Sequence, residues 1–328
     1  MAGSKAPPTI QEVAELAGVS KSTISRYFSG FPVRNPEQIR AAVERLGYRP
    51  NSAARDLKNG RTRTVGVAVR DLADLYFARI LRAIGLASSE VGFHLLVADT
   101  SLTSERLAYE TLRQRADGLI LCAPQLDDSE LESLVDDLRP VVIVDRLAPG
   151  VRAPQVGVDF YAAMLGLIAH TMDLGHRRIA YFAGPPRSWG DRERRRAFET
   201  AKTFGAIPTI LEAADSDQLD AAINTALSDG TTAILSFDDF IASSTISRLR
   251  KLDVSVPDEI SVTGFDDVGY ASLSNPEITT VRTPLGDLGE RAWSELRALI
   301  EGAEATATSV LLPAEVVVRA SVAAIAKA

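Results

Sequence analysis

Between Gly18 and Gly30 the chain reads GVSKSTISRYFSG, and at helical spacing Lys21, Ser22, Ser25 and Arg26 share one face, opposite an apolar stripe of Ile24, Tyr27 and Phe28. Ammonium and guanidinium groups donate to guanine O6 and N7, and a hydroxyl pairs with several base edges, so this face has the chemistry of a DNA reader. Ser20, Thr23 and Ser25 suit phosphate oxygens, contacts that position a protein on DNA without specifying sequence. A second set of capable groups recurs along the rest of the chain, where acids follow β-branched runs. Asp71 follows VGVAVR, Asp145 follows VVIV, Asp159 follows VGV, Asp238 and Asp239 follow AILSF, and Asp266 and Asp267 follow SVTGF. Open α/β sheets bind ligands beyond the carboxyl ends of their strands, where these acids would stand. An acid there can also simply cap the next helix, and Asp99 and Asp239 are assigned that role.

The polar face needs a helix and a support. Ser20 is a suitable N-cap for it. Upstream, TIQEVAELAGVS predicts another helix, with Thr9 as N-cap, Glu12 completing a capping box, and Ile10, Val13, Ala14 and Ala17 on one buried face up to the stop at Gly18. Two short helices joined by a glycine-containing turn form the helix-turn-helix pattern, whose second helix enters the major groove. A third helix is expected from Asn35 as N-cap and Pro36 at the first helical position to Gly47, with Ile39, Ala42, Val43 and Leu46 inward. From residue 63 the pattern changes to short strands, RTVGVAV, FHLLVAD, DGLILCAP, PVVIVD, QVGVD, RRIAYFAG, TAILSF and ISVTGF. Helices about 76–91, 104–116, 160–174, 192–204, 240–252 and 285–301 alternate with them. Strands alternating with helices imply parallel sheets covered on both faces. The number of units exceeds what one sheet usually holds, so two doubly wound lobes are expected behind an all-α headpiece.

Composition supports this division. The chain has 328 residues, 46% of them hydrophobic, and a net charge of −7. Residues 1–64 hold 11 Lys and Arg against 5 Asp and Glu, so an acidic body carries a basic N-terminal module, the electrostatic footprint of a domain that meets phosphates. No apolar run approaches the roughly 20 residues that span a bilayer, and MAGSKAPPT has no apolar segment of signal-peptide type, so a cytosolic protein is expected. The single cysteine, Cys122, lies in the apolar run GLILCAP and reads as a small buried residue. A glycine-rich phosphate loop, an HExxH zinc site and a GxSxG nucleophile elbow are all missing. His94, His170 and His176 lack metal-ligand spacing, and His176, just before a strand, reads as structural. Neither catalysis nor a cofactor nor a metal is expected.

Between the two parts, RPNSAARDLKNGRTRT holds one more short segment. Asn51 to Lys58 is a helix candidate of eight residues, below the roughly 12 to 15 at which isolated helices become marginal in water. It would fold only with support from DNA and a partner copy. Leu57 stands there among charged and small residues, where no core can claim it.

Ten motifs in order, TIQEVAELAGVSKSTISR, LGYRPNSAARDL, GRTRTVGVAV, VVIVDR, VGVD, LGHRRIAYFAGPP, RERRRAF, VPDEISVTGFDD, ITTVRTPLGDLGERA and LLPAEVVVRAS, resemble the LacI/GalR family of transcriptional regulators over nearly the whole chain. The resemblance implies a headpiece at 1–49, a hinge helix and linker at 50–62, and a body of the periplasmic-binding-protein type at 63–328. The body's N-lobe would take about 63–160 and 285–328 and its C-lobe about 161–284, with three crossings, so that LLPAEVVVRAS returns to the lobe nearer DNA. It further implies a homodimeric repressor, with a tetramer left open, on a pseudo-palindromic double-stranded operator, answering to a small effector between the lobes.

By motif position Lys21, Ser22 and Arg26 would read bases, and the hinge would add Asn51, Ala54 and Leu57, the leucine wedging into the minor groove. Tyr27 and Phe28, larger than the family's usual residues there, are read as packing. Asp145, Asp238, Asp266 and Arg194 would line the effector pocket, with Asp71, Asp74, Tyr76, Phe77, Asp159 and Arg192 at its rim. Acids around one arginine suit a neutral hydroxyl-rich ligand, a sugar or polyol. The sequence departs from the family pattern at Asp238, where asparagine is usual, and at Phe160, which replaces the asparagine common after Asp159. ILEAADSDQLD also lacks the family's aromatic wall, for which Trp189 or Tyr270 would substitute. A solute receptor sharing the body's fold, or a regulator answering to a protein partner or to no effector, are the alternatives.

Overall fold

The computed structural model describes residues 8–28, 30–48 and 62–325, and the chain divides into two units, Met1–Thr62 and Arg63–Ala328. In the first unit the described helices are α1 (Ile10–Leu16), α2 (Lys21–Phe28) and α3 (Pro36–Leu46). Reciprocal hydrogen bonds start α1: Glu12 N–H donates to Thr9 Oγ1 at 3.3 Å, and Thr9 N–H donates to the Glu12 carboxylate at 2.7 Å. Gly18 ends this segment with φ at +62°, which a side chain would strain. Val13, Ala14, Ala17, Ile24, Ile39 and Ala42 form the small core beneath. Asn35 departs from its expected role. Its φ is +58° and its side chain makes no cap bond, Nδ2 donating instead to Gln38 Oε1 at 3.3 Å. Asparagine tolerates this left-handed conformation, and Pro36 presets the first helical φ by itself.

The second unit begins with β1 (Thr64–Val69), α4 (Leu75–Ser89), β2 (His94–Asp99), α5 (Glu105–Arg113), β3 (Gly118–Cys122), α6 (Asp128–Leu138), β4 (Val141–Val144) and β5 (Gln155–Val158). It continues through α7 (Phe160–Asp173), β6 (Arg178–Ala183), α8 (Trp189–Thr200), β7 (Ile207–Glu212), α9 (Ser216–Ser228), β8 (Ala233–Ser236) and α10 (Asp239–Lys251). The last elements are β9 (Ser261–Thr263), α11 (Gly269–Leu273), β10 (Thr280–Arg282), α12 (Leu285–Ile300), β11 (Ser309–Leu312) and β12 (Glu315–Val317). Two parallel sheets result, ordered β11-β5-β4-β3-β1-β2 and β7-β6-β8-β9, with an antiparallel ribbon of β10 and β12. Strands β3, β4 and β5 are buried along their whole length, as expected of sheets covered on both faces. Against the first sheet α12 crosses α4 closely at Gly289, where an added Cβ would lie 2.8 Å from both the Ala83 Cβ and the Ile80 carbonyl oxygen.

Several elements escaped the sequence reading, α6, α9 and β7 the longest among them. The acids of α6 hide a buried stripe of Leu131, Leu134, Val135 and Leu138, behind an Asp127–Glu130 capping box. A polar surface likewise hides α9, which buries Leu219, Ala222, Ile223 and Ala226. Pro208 disguises β7, which is an edge strand, where proline is tolerated. Asp99 caps no helix. It accepts the N–H groups of Leu72 at 2.9 Å and Ser101 at 2.8 Å, while Ser104 caps α5.

The chain passes between the two sheets after β5, after β10 and after β11. The expectation that everything from 285 to 328 stays with the first lobe fails beyond Leu312. Strand β11 pairs with β5, but β12 pairs with β10, and the following residues close the β9 edge of the second sheet. There Val262 N–H donates to the Ser321 carbonyl at 2.9 Å, and Ser321 Oγ donates back to the Val262 carbonyl at 2.5 Å. His176 secures the same segment, with Nε2 2.9 Å from the Ala323 carbonyl oxygen and Nδ1 3.0 Å from Thr232 Oγ1. Its burial lowers the imidazole pKa, in keeping with a structural role. Cys122 is buried, and burial pushes its thiol pKa upward.

Candidate functional site

On the headpiece, α2 turns Ile24 fully inward and leaves Lys21, Ser22, Ser25 and Arg26 exposed. Ser20 Oγ accepts the Thr23 N–H at 3.2 Å, so it caps the helix while remaining exposed at its N-terminus. Tyr27 and Phe28 are half-buried, their rings 5.3 Å apart, and Phe28 lies 5.9 Å from Tyr48. Both aromatics therefore hold the helix to its neighbour, and the polar face is left as a row of donors on a rigid support. Asn51, Ala54 and Leu57 lie outside the described residues.

In the body, the carboxyl ends of β1, β3 and β4 in one sheet and of β6, β8 and β9 in the other open onto a common cleft. Its inner part is a cavity of about 40 Å³, to which the first lobe contributes Arg70, Asp74, Tyr76, Phe77, Ala123, Gln125 and Asp145. Phe160, Ser188, Gly190, Arg194, Phe237, Asp238 and Asp266 complete it from the other side. An outer cleft of about 660 Å³ shares Arg70, Asp74, Phe237 and Asp238 and adds Asp71, Phe240, Ser244 and Tyr270 among its walls. Asp145 and Asp266 sit just beyond strand ends with φ of +61° and +96°, conformations costly for residues with a Cβ and common at ligand sites.

Arg194 is almost wholly buried. Its guanidinium carbon lies 3.8 Å from the Phe265 ring centroid, 4.5 Å from Phe160 and 4.6 Å from Phe237, and one nitrogen is 3.4 Å from Asp266 Oδ1. Each desolvated cation–ring contact is worth up to about 2 kcal/mol, which offsets the cost of removing this charge from water. Burial raises the pKa of Asp145 to about 7, against the Tyr76 hydroxyl and the nearby Arg194, which favour its ionised form. Asp238 faces the outer cleft with part of its surface; even so, the protein around its carboxyl displaces water and raises it to about 6, against the Ile241 N–H it accepts at 2.7 Å. Burial raises Asp266 well above the usual range despite Arg194, and raises Asp74 as well.

Several expected residues take other places. Asp238, not Asp239, caps α10 through the Ile241 N–H. Asp239 is fully buried, accepting Thr280 Oγ1 at 2.6 Å and Val268 N–H at 2.8 Å, so it ties the helix to β10. Asp159 is spent as the cap of α7, accepting the Ala162 N–H at 2.9 Å, and lies outside the cavity. Arg192 is exposed. It shares α8 with Arg194, and two residues along a helix are about 200° apart around its axis, so both cannot face one cavity. Asp71 accepts the Ala73 N–H at 2.8 Å and borders the outer cleft only. Of the two aromatic substitutes, Tyr270 lines the outer cleft beside Phe240, their rings 5.5 Å apart, whereas Trp189 packs behind Phe160 at 5.7 Å.

Arg70, Gln125, Ser188 and Phe237 line the inner cavity unanticipated. Arg70 and Gln125 follow β1 and β3 closely, so searching strand ends for all polar residues, not acids alone, would have found them. Among the described residues, no three His, Cys, Asp or Glu side chains converge as metal ligands, and no helix is long and apolar enough to cross a membrane.

Two family profiles match the chain: bacterial regulatory proteins, lacI family, over residues 9–51, and periplasmic binding protein-like domain over residues 168–322. The HTH-type transcriptional regulator GalS of Salmonella typhimurium is 30% identical over 323 residues, covering 93% of this chain and 94% of GalS. The HTH-type transcriptional regulator PtxS of Pseudomonas aeruginosa is 30% identical over 332 residues, covering 97% and 96%. Among solved structures, the Lac repressor dimer bound to operator and the anti-inducer ONPF superposes with a TM-score of 0.86 at 27% identity, over 97% of this chain and 100% of that one. A complex of the transcriptional regulator CelR with cellobiose superposes with a TM-score of 0.71 at 27% identity, over 96% and 99%.

Proposed function

This chain belongs to the lacI family of DNA-binding transcriptional regulators, and from that premise we propose how it divides its labour. As a homodimer it represses from a pseudo-palindromic operator in the cytoplasm, with Lys21, Ser22 and Arg26 of each α2 at base edges and Ser20, Thr23 and Ser25 at phosphates. Asn51, Ala54 and Leu57 contribute from the hinge. A hydroxylated effector, a sugar or polyol, binds between the lobes. The supporting observation is that Asp145 from one lobe and Arg194, Asp238 and Asp266 from the other converge on one cavity, so a ligand held there is sensitive to the angle between the lobes. The chain is a switch and not a catalyst.

Three crossings connect the lobes, so closure around a ligand is a bend of three strands and carries no chain rupture. A ligand that binds one lobe angle more tightly than another shifts the population toward it. Coupling of 1 to 3 kcal/mol changes operator affinity about 5- to 150-fold. Selection of bound DNA from random sequence, followed by footprinting in the presence of candidate sugars, tests both halves at once. A two-fold symmetric site whose protection changes with a sugar is expected. An asymmetric site, or protection indifferent to every sugar that raises the melting temperature, would overturn the account.

A further inference from the structure

Four carboxyls and two guanidiniums line the inner cavity. Both guanidiniums have partners: Arg70 lies 3.6 Å from Asp74, and Arg194 lies 3.4 Å from Asp266. Asp145 and Asp238, one from each lobe, pair with no cation among the described residues. Asp145 is more than nine-tenths buried and its Oδ1 has no hydrogen-bond partner; the Tyr76 hydroxyl, also more than nine-tenths buried beside it, has none either. Buried carboxyls without a counter-charge are costly, and a ligand that supplies the missing charge recovers that cost on binding. The inner cavity, at about 40 Å³, admits one group of the size of water. Hydroxyls and carboxyls, with the rings of Phe240 and Tyr270, line the larger cleft that continues from it, and its two guanidiniums, Arg70 and Arg248, are paired with Asp74 and Asp220.

We infer that the effector is a hydroxylated molecule bearing a protonated amine, an amino sugar or amino polyol. Its ammonium occupies the inner cavity between Asp145 and Asp238 and its hydroxylated body lies in the outer cleft. An ammonium has three donors and satisfies both carboxyls at once, which draws the two lobes onto a single group. This rests on the effector-regulated function proposed above and narrows it to one ligand class.

The test uses the full-length protein and matched pairs of probes, glucose with glucosamine, galactose with galactosamine and mannose with mannosamine, read by thermal stabilisation and by titration calorimetry. At least one amino sugar is expected to bind at least tenfold more tightly than its neutral partner, and Asp238→Asn to remove most of that preference. Asparagine caps a helix as well as aspartate, so the variant keeps the start of α10; Asp145→Asn provides a second variant should it misfold. Neutral sugars binding as well as or better than their amino partners, with operator binding still responsive, would sink the amine assignment and leave the regulatory function standing. No stabilisation by any probe of either class, with operator binding unaffected, would overturn both.

Discussion

The polar face of α2 and the inter-lobe cavity both present cations and hydroxyls to a partner, yet they do so in opposite media. Lys21 and Arg26 stand in water on a helix anchored by Ile24, whereas Arg194 is stacked among three rings and Asp145 lies beside a hydroxyl without a partner. Exposed charges gain from a polyanion by releasing its counterions, and that gain is erased by salt. Buried charges are screened little by salt, and their energetics depend on protonation and on what fills the space beside them. The headpiece is thus built for an electrostatic partner that can be competed away, and the cleft for a fitted one.

Salt makes the broadest test of this contrast. If about 6 to 10 phosphates are contacted per dimer, operator affinity should fall roughly 10³- to 10⁵-fold between 50 and 200 mM salt, measured by fluorescence anisotropy, while effector affinity over the same range stays nearly level. A steep salt dependence of the effector site would erase the distinction. Next in size, Arg194→Ala leaves Asp266 buried without its cation and should cost about 3–5 kcal/mol of body stability in denaturant unfolding, with the effector response lost. On the headpiece, Lys21→Ala should cost about 1–3 kcal/mol on the preferred operator and much less on sequences altered at the base it reads. A uniform loss across sequences would mark Lys21 as a phosphate contact.

The smallest effect is a slope in pH. Asp145 holds its proton more tightly in the folded protein, with a pKa of about 7 against 3.8. The folded state therefore binds more protons than the unfolded chain between those values. Its contribution is complete below about pH 4, falls by up to about 1.4 kcal/mol per pH unit as pH rises toward 7, and is flat above. Thermal unfolding of the ligand-free protein followed from pH 5 to 8 should show this decline, and Asp145→Asn should be visibly flatter. Equal slopes in the two proteins would mean that Asp145 titrates as an ordinary solvated acid.

The two regions also differed in how much of them could be read from the chain. The headpiece is local: caps, stops and buried faces lie within a few residues of one another, so Thr9, Glu12, Gly18, Ser20 and Ile24 took their expected places. Only Asn35 misled, because capping and left-handed turning favour the same residue type. The cavity is assembled from residues as far apart as Arg70 and Asp266. No spacing rule connects those positions; their place at strand ends listed Asp145, Asp238 and Asp266 among seven acids, and motif position singled them out and added Arg194. Motif position could not say which neighbours also face inward. Asp159 is consumed by a helix N-terminus and Arg192 points away by helical phase, while Arg70 and Phe237, each adjacent to a residue already singled out, were passed over. In the same way the closing segment LLPAEVVVRAS was assigned to one lobe, although β11 pairs with β5 of the first sheet and β12 with β10.

That division has a consequence for how the protein is made. Strand β11 and helix α12 complete the first lobe, yet they leave the ribosome only after the whole second sheet has been synthesised. At roughly 5–20 residues per second, β5 waits on the order of ten seconds with an unpaired edge and with α4 uncovered. The second lobe's four-stranded sheet is contiguous in the chain and can form in that interval, so the first sheet, begun earlier, gains its last strand only after the second sheet is in place. A nascent chain stalled before Ser309 would expose an apolar strand edge, the surface that chaperones and other unfinished chains recognise.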